Sequence, residues 1–183
     1  MLYPYDSRFR LTSSQGARGG SIHNGVDLVG NDKYIVAVCG GDVIISSIIT
    51  DKSNSAWEFG NRVVVRGDDG KYYMYCHLSK RLIESGAKVR AGDHIGIEGS
   101  TGLSTGSHLH FEVRDRQGAG YKCFEAAGLL GINNSVGIYG NDYEAIACAE
   151  IGFDNNTRAK INAMAKPFAA AFWRKLWAYR HTK

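Results

Sequence analysis

Through most of the first two thirds of this chain, apolar positions recur in short runs or in strict alternation, the signature of β-strands. IVAV (35–38) and DVIISSII (42–49) predict strands separated by Gly40 and Gly41. RVVVR (62–66) and KYYMYCH (71–77) flank Gly67-Asp68-Asp69-Gly70, a strong short-range hairpin signal. HIGIEG (94–99) and HLHFEVR (108–114) predict two further strands around the Gly/Ser/Thr-rich loop GSTGLSTGS (99–107). Residues 1–20 carry few strong signals and read as irregular. Residues 80–92 read as a short helical turn and a Gly-punctuated loop.

Beyond about residue 125 the texture changes. YEAIACAEIGF (143–153) predicts a short helix. TRAKINAMAKPFAAAFWRKLWAYR (157–180) has apolar residues at helical spacing, with Thr157 as a candidate cap and Pro167 as a break. GINNSVGIYGND (131–142) supplies turn residues and little periodicity, which places a boundary near 131–141. The predicted organisation is therefore a β-rich domain over 1–131 and a mostly helical extension over 132–183.

Composition sharpens this picture in two places. The 183 residues include 23 Gly and 10 Tyr but only 2 Pro, which suits an all-β core with tight turns. The net charge of +4 is uneven: residues 1–153 carry a net of −2, and the last thirty carry +6. Those last thirty residues also hold Phe168, Phe172, Trp173 and Trp177 beside Lys160, Lys166, Arg174, Lys175 and Arg180. Such a helix either packs its aromatic face on the β-domain or on a second copy, makes interfacial contact with an anionic wall or membrane surface, or docks on another protein.

No window is long and apolar enough to span a membrane. The start, MLYPYDSRFRLTSS, lacks the basic-then-apolar order of a secretory signal. A protein acting outside the cell would then need release by lysis or carriage in a phage particle. Cys39, Cys76, Cys123 and Cys148 are widely spaced with no CxxC, which predicts isolated buried thiols.

Candidate chemistry centres on histidine. His108 and His110 lie two apart on a predicted strand and project from one face, with Leu109 and Phe111 on the packed face. His23 and Asp27 sit in HNGVD and can close on one ion if the chain turns at Gly25. With one of the 108/110 pair they supply three N/O donors, the usual set for a catalytic zinc with an open position. His77 adds a further imidazole, so one group is left for proton transfer. No HExxH glutamate is present, so imidazole must do the acid–base work. His94 and His181 have no sequence partners and read as solvated. GSTGLSTG lacks a GK[ST] ending and precedes a strand, which argues against nucleotide binding. No GxSxG motif occurs, and nothing suggests a nucleic-acid partner.

HNGVD (23–27), YCHLS (75–79) and GSTGLSTGSHLHFEVR (99–114) together resemble the lysostaphin-type (LytM-like, β-lytic) zinc metalloendopeptidases. The likeness extends to FGNRVVV (59–65) and VRAGDHIGIEG (89–99), and covers roughly residues 8–130. It implies an antiparallel β-sheet half-barrel with loops walling a groove. It also implies one zinc on His23, Asp27 and His110, with His77 and His108 flanking the reacting water and carbonyl. The implied substrate is bacterial peptidoglycan, and the chain would be an enzyme of wall lysis or remodelling. A non-catalytic wall-binding module would show ligand loss, which is absent here. A virion tail component, with phage tail proteins as partners, is a further alternative. Ser107 stands where the family usually has Pro and Cys76 where Ala is common. Strand alternation places Cys76 away from the His77 face. Residues 131–183 fall outside the pattern.

Overall fold

The computed structural model describes residues 1–140, 155–163 and 172–176. Its centre is an eight-stranded antiparallel sheet in the order β10-β6-β7-β8-β12-β4-β1-β13. The strands are β1 (Phe9–Ser13), β4 (Val26–Gly30), β6 (Gly41–Ser47), β7 (Arg62–Gly67), β8 (Tyr72–Cys76), β10 (Lys88–Val89), β12 (Leu109–Arg114) and β13 (Gly137–Tyr139). A three-stranded sheet combines β5 (Tyr34–Val36), β11 (His94–Ile97) and β9 (Lys80–Arg81). β2 (Gly16–Arg18) and β3 (Ser21–His23) form a separate ribbon. The mainly β, antiparallel architecture agrees with the expectation from the sequence.

The expected hairpin forms between β7 and β8. Gly67 and Lys71 bracket it, with Gly67 N–H donating to the Lys71 carbonyl at 2.9 Å. Gly70 takes φ +80°, a conformation that glycine adopts without steric cost.

Period-two alternation divides the side chains of the central strands between two faces. Val26 and Leu28, Val63 and Val65, Tyr73 and Tyr75, and Leu109, Phe111 and Val113 all enter the main core. There they meet Ile35 and Ile95 of the small sheet. The opposite face carries Val64, Met74 and Cys76 as a second, smaller cluster. On that face the register places Asp27 opposite His110 and His110 opposite Cys76, a line across three adjacent strands.

Several expectations fail for identifiable reasons. Residues 1–20 are not irregular. Phe9 and Leu11 are buried on alternate positions of β1, a five-residue signal too short to stand out among polar neighbours. Within residues 80–92 the Gly-punctuated loop is present, but β9 and β10 take the place of the helical turn, because two-residue strands take their identity from their partners β11 and β6. β13 lies past residue 131 yet pairs with β1, so the sheet continues into the part assigned to the extension.

Cys76 shares the His110 face instead of pointing away from His77. The chain leaves β8 at His77 with φ +62°, and this breaks the alternation. His94 is not solvated: its ring packs edge-on against Tyr34 at 5.5 Å, and Nε2 lies 3.5 Å from Asp6. The three described cysteines are free thiols as expected, although only Cys76 is fully buried.

α1 (Ala126–Leu129) is capped by Glu125, whose side chain accepts from Ala127 and Gly128 N–H groups. α2 (Asn155–Asn162) starts two residues before Thr157, so Thr157 lies inside the helix rather than at its cap. Residues 172–176 are helical. Within them Trp173 is 2% exposed, and the Arg174 guanidinium binds Asp6 and the Gly92 carbonyl. This stretch therefore packs against the β-domain. The predicted helix at 143–153, Pro167, Cys148 and His181 lie outside the described residues.

Candidate metal centre

His110 and Asp27 become cross-strand neighbours through the β12–β4 register. His23 arrives from β3 across a two-residue link, Asn24-Gly25. The chain bends at Gly25 as expected, without a left-handed φ. The role of Gly25 is close approach, since a Cβ there would collide with the Phe111 carbonyl oxygen and crowd the His110 ring. That missing side chain lets the β3–β4 link lie directly on β12.

The three inner donor atoms converge. His23 Nε2 lies 3.1 Å from Asp27 Oδ1, His110 Nδ1 lies 3.0 Å from the same oxygen, and the two nitrogens are 3.0 Å apart. With zinc–ligand bonds of about 2.0–2.1 Å, tetrahedral donors stand about 3.3 Å apart, so this triangle is close to the size zinc needs. The outer nitrogens are engaged elsewhere. His23 Nδ1 lies 2.9 Å from the Ser14 carbonyl, and His110 Nε2 lies 3.4 Å from Glu112 Oε2. Each outer N–H donates outward, so two nitrogen lone pairs and a carboxylate oxygen face one another. A cation between them resolves that repulsion, and the N/O donor set fits zinc.

The charges respond accordingly. Burial works to raise the Asp27 carboxyl, but the adjoining His110 and His23 rings outweigh it and hold it far below the usual carboxylate range. Burial pulls His110 down, and Asp27 and Glu112 more than offset this. Arg18 adds a guanidinium 3.5 Å from Asp27 Oδ2 and also touches Ser13 and His23.

His77 and His108 stand beside this triangle. Their ring centroids are 4.7 Å apart, and His77 is 5.9 Å from His110. His77 Nδ1 is 2.8 Å from the Thr101 carbonyl, and His108 Nδ1 is 2.8 Å from the Gly106 carbonyl. Both rings therefore carry the Nδ1–H tautomer and keep a free Nε2. His108 Nε2 lies 3.7 Å from Asp27 Oδ1, on the open side of the triangle. Burial pushes His77 down to about 4, the Thr101 carbonyl only partly opposing it, so its ring is neutral at pH 7. His77 is the one non-glycine residue with positive φ among the described residues. Its backbone N–H donates to Phe59, its carbonyl accepts from Thr101, and Leu78 N–H donates to Asn61. These bonds hold a conformation that an unsupported histidine would leave.

All five histidine and aspartate positions singled out in the sequence thus meet in one place. Their groove is a cleft of about 490 Å³ whose walls include Glu58, Leu103 and Tyr121. Sequence reading missed the support behind His110. Glu112 accepts from Arg114 Nε at 2.6 Å and from the Cys123 thiol at 2.9 Å. Arg114 in turn stacks 3.6 Å from the Tyr121 ring centre. Burial raises Glu112, but donors from His110, Arg114 and Cys123 outweigh it and bring it to about 2. Burial and the Glu112 charge push the Cys123 thiol up to about 12, so its proton stays on sulfur. The signal was available: in HLHFEVR, positions 108, 110, 112 and 114 share one face.

Reading also missed Glu98. It is buried and receives Tyr5 OH at 2.7 Å, Lys33 Nζ at 2.6 Å, Gly30 N–H at 3.0 Å and Ser107 Oγ at 2.7 Å. Through Ser107 it pins the residue preceding His108.

Comparison with known proteins agrees with this geometry. The family model described as Peptidase family M23 matches residues 21–121, more than half of the chain. Peptidoglycan DD-endopeptidase ShyA of Vibrio cholerae is 35% identical over 121 residues, covering 61% of this chain and 26% of ShyA. Lysostaphin of Staphylococcus staphylolyticus is 39% identical over 94 residues, covering 51% of this chain and 18% of lysostaphin. The similarity to these curated relatives thus spans about a quarter of their length or less. Among solved structures, the catalytic domain of lysostaphin from Staphylococcus simulans superposes with TM-score 0.58 at 28% identity, covering 67% of this chain and 92% of that one. The catalytic domain of prophage-encoded M23 protein EnpA from Enterococcus faecalis, solved as a mutant, gives TM-score 0.55 at 30% identity, covering 64% of this chain and 88% of that one.

Proposed function

The chain belongs to peptidase family M23, and from that membership we propose that it is a zinc-dependent endopeptidase hydrolysing peptide bonds of bacterial peptidoglycan, in stem peptides or cross-bridges. The observation that carries this reading is the convergence of His23, Asp27 and His110 with two further imidazoles on its open side. The peptidase unit runs from the N-terminus through β13, and the rest of the extension adds to it.

His23, Asp27 and His110 would hold the zinc. When bound, zinc lowers the pKa of a water toward about 7 and polarises the scissile carbonyl. Asp27 offsets part of its charge. His77 and His108 share the remaining work. One Nε2 lone pair accepts the proton of the attacking water, and that same imidazole then delivers it to the leaving amine. Whichever imidazole is protonated meanwhile lies next to the developing oxyanion and stabilises it. The Thr101 and Gly106 carbonyls keep both rings in the required tautomer. Glu112 and Arg114 orient His110 from behind.

Mass spectrometry of muropeptides released from purified walls by the zinc-loaded protein tests this directly. New amino termini at one bond type are expected. Intact walls after prolonged incubation with zinc-loaded protein would overturn it. The likeness to prophage-encoded EnpA favours a second, compatible reading in which the enzyme works in a phage's life cycle. Detection of the chain in purified particles would place it with tail proteins, and detection only in lysates would make it a released lysin.

A further inference from the structure

The charged groups lining the groove are almost all committed. Asp27 belongs to the metal triangle, Arg18 is tied to Asp27, and Glu112 is held by Arg114 and Cys123. Glu58 is the exception. It lines the same cleft and is exposed, and its carboxylate has no hydrogen bond or ion pair among the described residues.

Its backbone, by contrast, is firmly held. Glu58 lies in a 3-10 turn, Trp57–Phe59, and its carbonyl accepts the Leu103 N–H at 3.1 Å. The next carbonyl, of Phe59, accepts the His77 N–H at 2.9 Å. Thr101, two residues before Leu103, holds both the His77 ring and the Asn61 N–H. Glu58 is thus fixed between the end of the strand carrying His77 and the loop leading to His108. The backbone that carries this carboxylate therefore has a fixed place beside the reacting centre. Beside it, Leu103 projects into solvent with 67% of its surface exposed while lining the same cleft.

An unpaired carboxylate next to an exposed aliphatic side chain matches a ligand with an alkyl stem and a cationic tip. Resting on the peptidase reading above, we propose that Glu58 is a specificity-determining residue that takes the side-chain ammonium of a diamino-acid residue in the substrate, with Leu103 packing along its alkyl stem. The ammonium replaces water at Glu58, and the aliphatic stem covers Leu103. Neither group takes part in bond cleavage.

The test uses zinc-loaded full-length protein and muropeptide dimers in three forms: native, fully N-acetylated, and synthetic versions blocked only at the chain-terminal amine. Wild type should cleave native dimers with a kcat/KM about tenfold above that for the acetylated form, the size expected for one charge-assisted contact. Blocking the terminal amine alone should leave that preference in place. Glu58→Gln should cleave native and acetylated dimers alike, and Glu58→Lys should favour the acetylated form. Leu103→Ser should reduce the preference by raising KM for native dimers. Equal cleavage of both forms by wild type, or a preference surviving in Glu58→Gln, would overturn the assignment while leaving the peptidase reading intact. Loss of the preference on blocking the terminal amine alone would also overturn it, in favour of a chain end as the ligand. Failure of wild type to cleave any dimer or purified wall would remove the peptidase reading, and this inference with it.

Discussion

Two aspartates among the described residues, Asp27 and Asp6, meet histidine, and only Asp27 belongs to a candidate metal centre. At Asp27 two imidazole nitrogens and one carboxylate oxygen stand 3.0–3.1 Å apart, with a third imidazole at 3.7 Å. At Asp6 one imidazole, His94, approaches to 3.5 Å, and the Arg174 guanidinium takes the other oxygen. The Asp6 side chain is 2% exposed and Asp27 17% exposed. The first arrangement leaves lone pairs facing a solvent-open point. The second neutralises a carboxylate with a resident cation and closes over it. A histidine beside an aspartate therefore says little alone. What marks a metal site is that the outer ring nitrogens already donate elsewhere.

The strongest way to break this contrast is at His110. His110→Ala should take zinc from about one per chain to near none, and abolish hydrolysis. Elemental analysis of the purified variant checks it, with chelator-treated and zinc-restored wild type alongside. Full zinc in that variant would show that the triangle is not the site.

Next in size are the two imidazoles that do not belong to the triangle. His77→Ala and His108→Ala should retain most of their zinc yet lose activity by a factor on the order of 100 or more. Their Nδ1–H groups are tied to backbone carbonyls, which leaves Nε2 open for proton exchange. Loss of zinc together with activity in either variant would move that residue into the ligand set.

A smaller effect is expected behind His110. Glu112→Gln keeps the size of the side chain but removes the charge that accepts His110 Nε2–H and balances Arg114. Zinc affinity, measured by competition with a chelating dye at pH 7, should fall about 10- to 100-fold. Unchanged affinity would reduce Glu112 to a packing role.

The sequence made the triangle legible because each of its members sits in a compact motif whose spacing has a direct geometric meaning. His108 and His110 share a strand face, and HNGVD joins its two donors over five residues. The hairpin at 67–70 was legible for the same local reason. What escaped was set by distant partners. β9 and β10 are strands only because β11 and β6 lie beside them, and β13 exists because β1 offers an edge. Cys123 reaches Glu112 across eleven residues, and Asp6 meets Arg174 across 168. Cys76 was assigned to the wrong face because alternation was carried through His77, where φ +62° ends it. Of the readings given for the basic, aromatic C-terminal segment, packing on the β-domain suits Trp173 and Arg174, which are buried or paired.

The smallest effect on hydrolysis is expected at the closed carboxylate. The Arg174 side chain is 12% exposed, and it joins residues 172–176 to the N-terminal segment through Asp6 and to the loop before β11 through the Gly92 carbonyl at 3.0 Å. Arg174→Ala leaves the Asp6 carboxylate buried with only the 3.5 Å approach of His94. Breaking a buried pair from one side costs about 3 kcal/mol, because the remaining charge loses its partner but not its burial. Arg174→Met keeps much of the aliphatic stem, so it separates lost packing from lost charge. Both variants should lower the unfolding free energy measured by urea titration, Met slightly less than Ala. Pairing either with Asp6→Asn should recover part of the loss, since the stranded charge is then gone. Zinc content and kcat on a small soluble peptide should stay at wild-type levels, because neither residue belongs to the groove. An unfolding free energy equal to wild type in Arg174→Ala would mean that the closed carboxylate contributes nothing to holding the C-terminal stretch. A matching loss of zinc would mean that the two carboxylates are not independent.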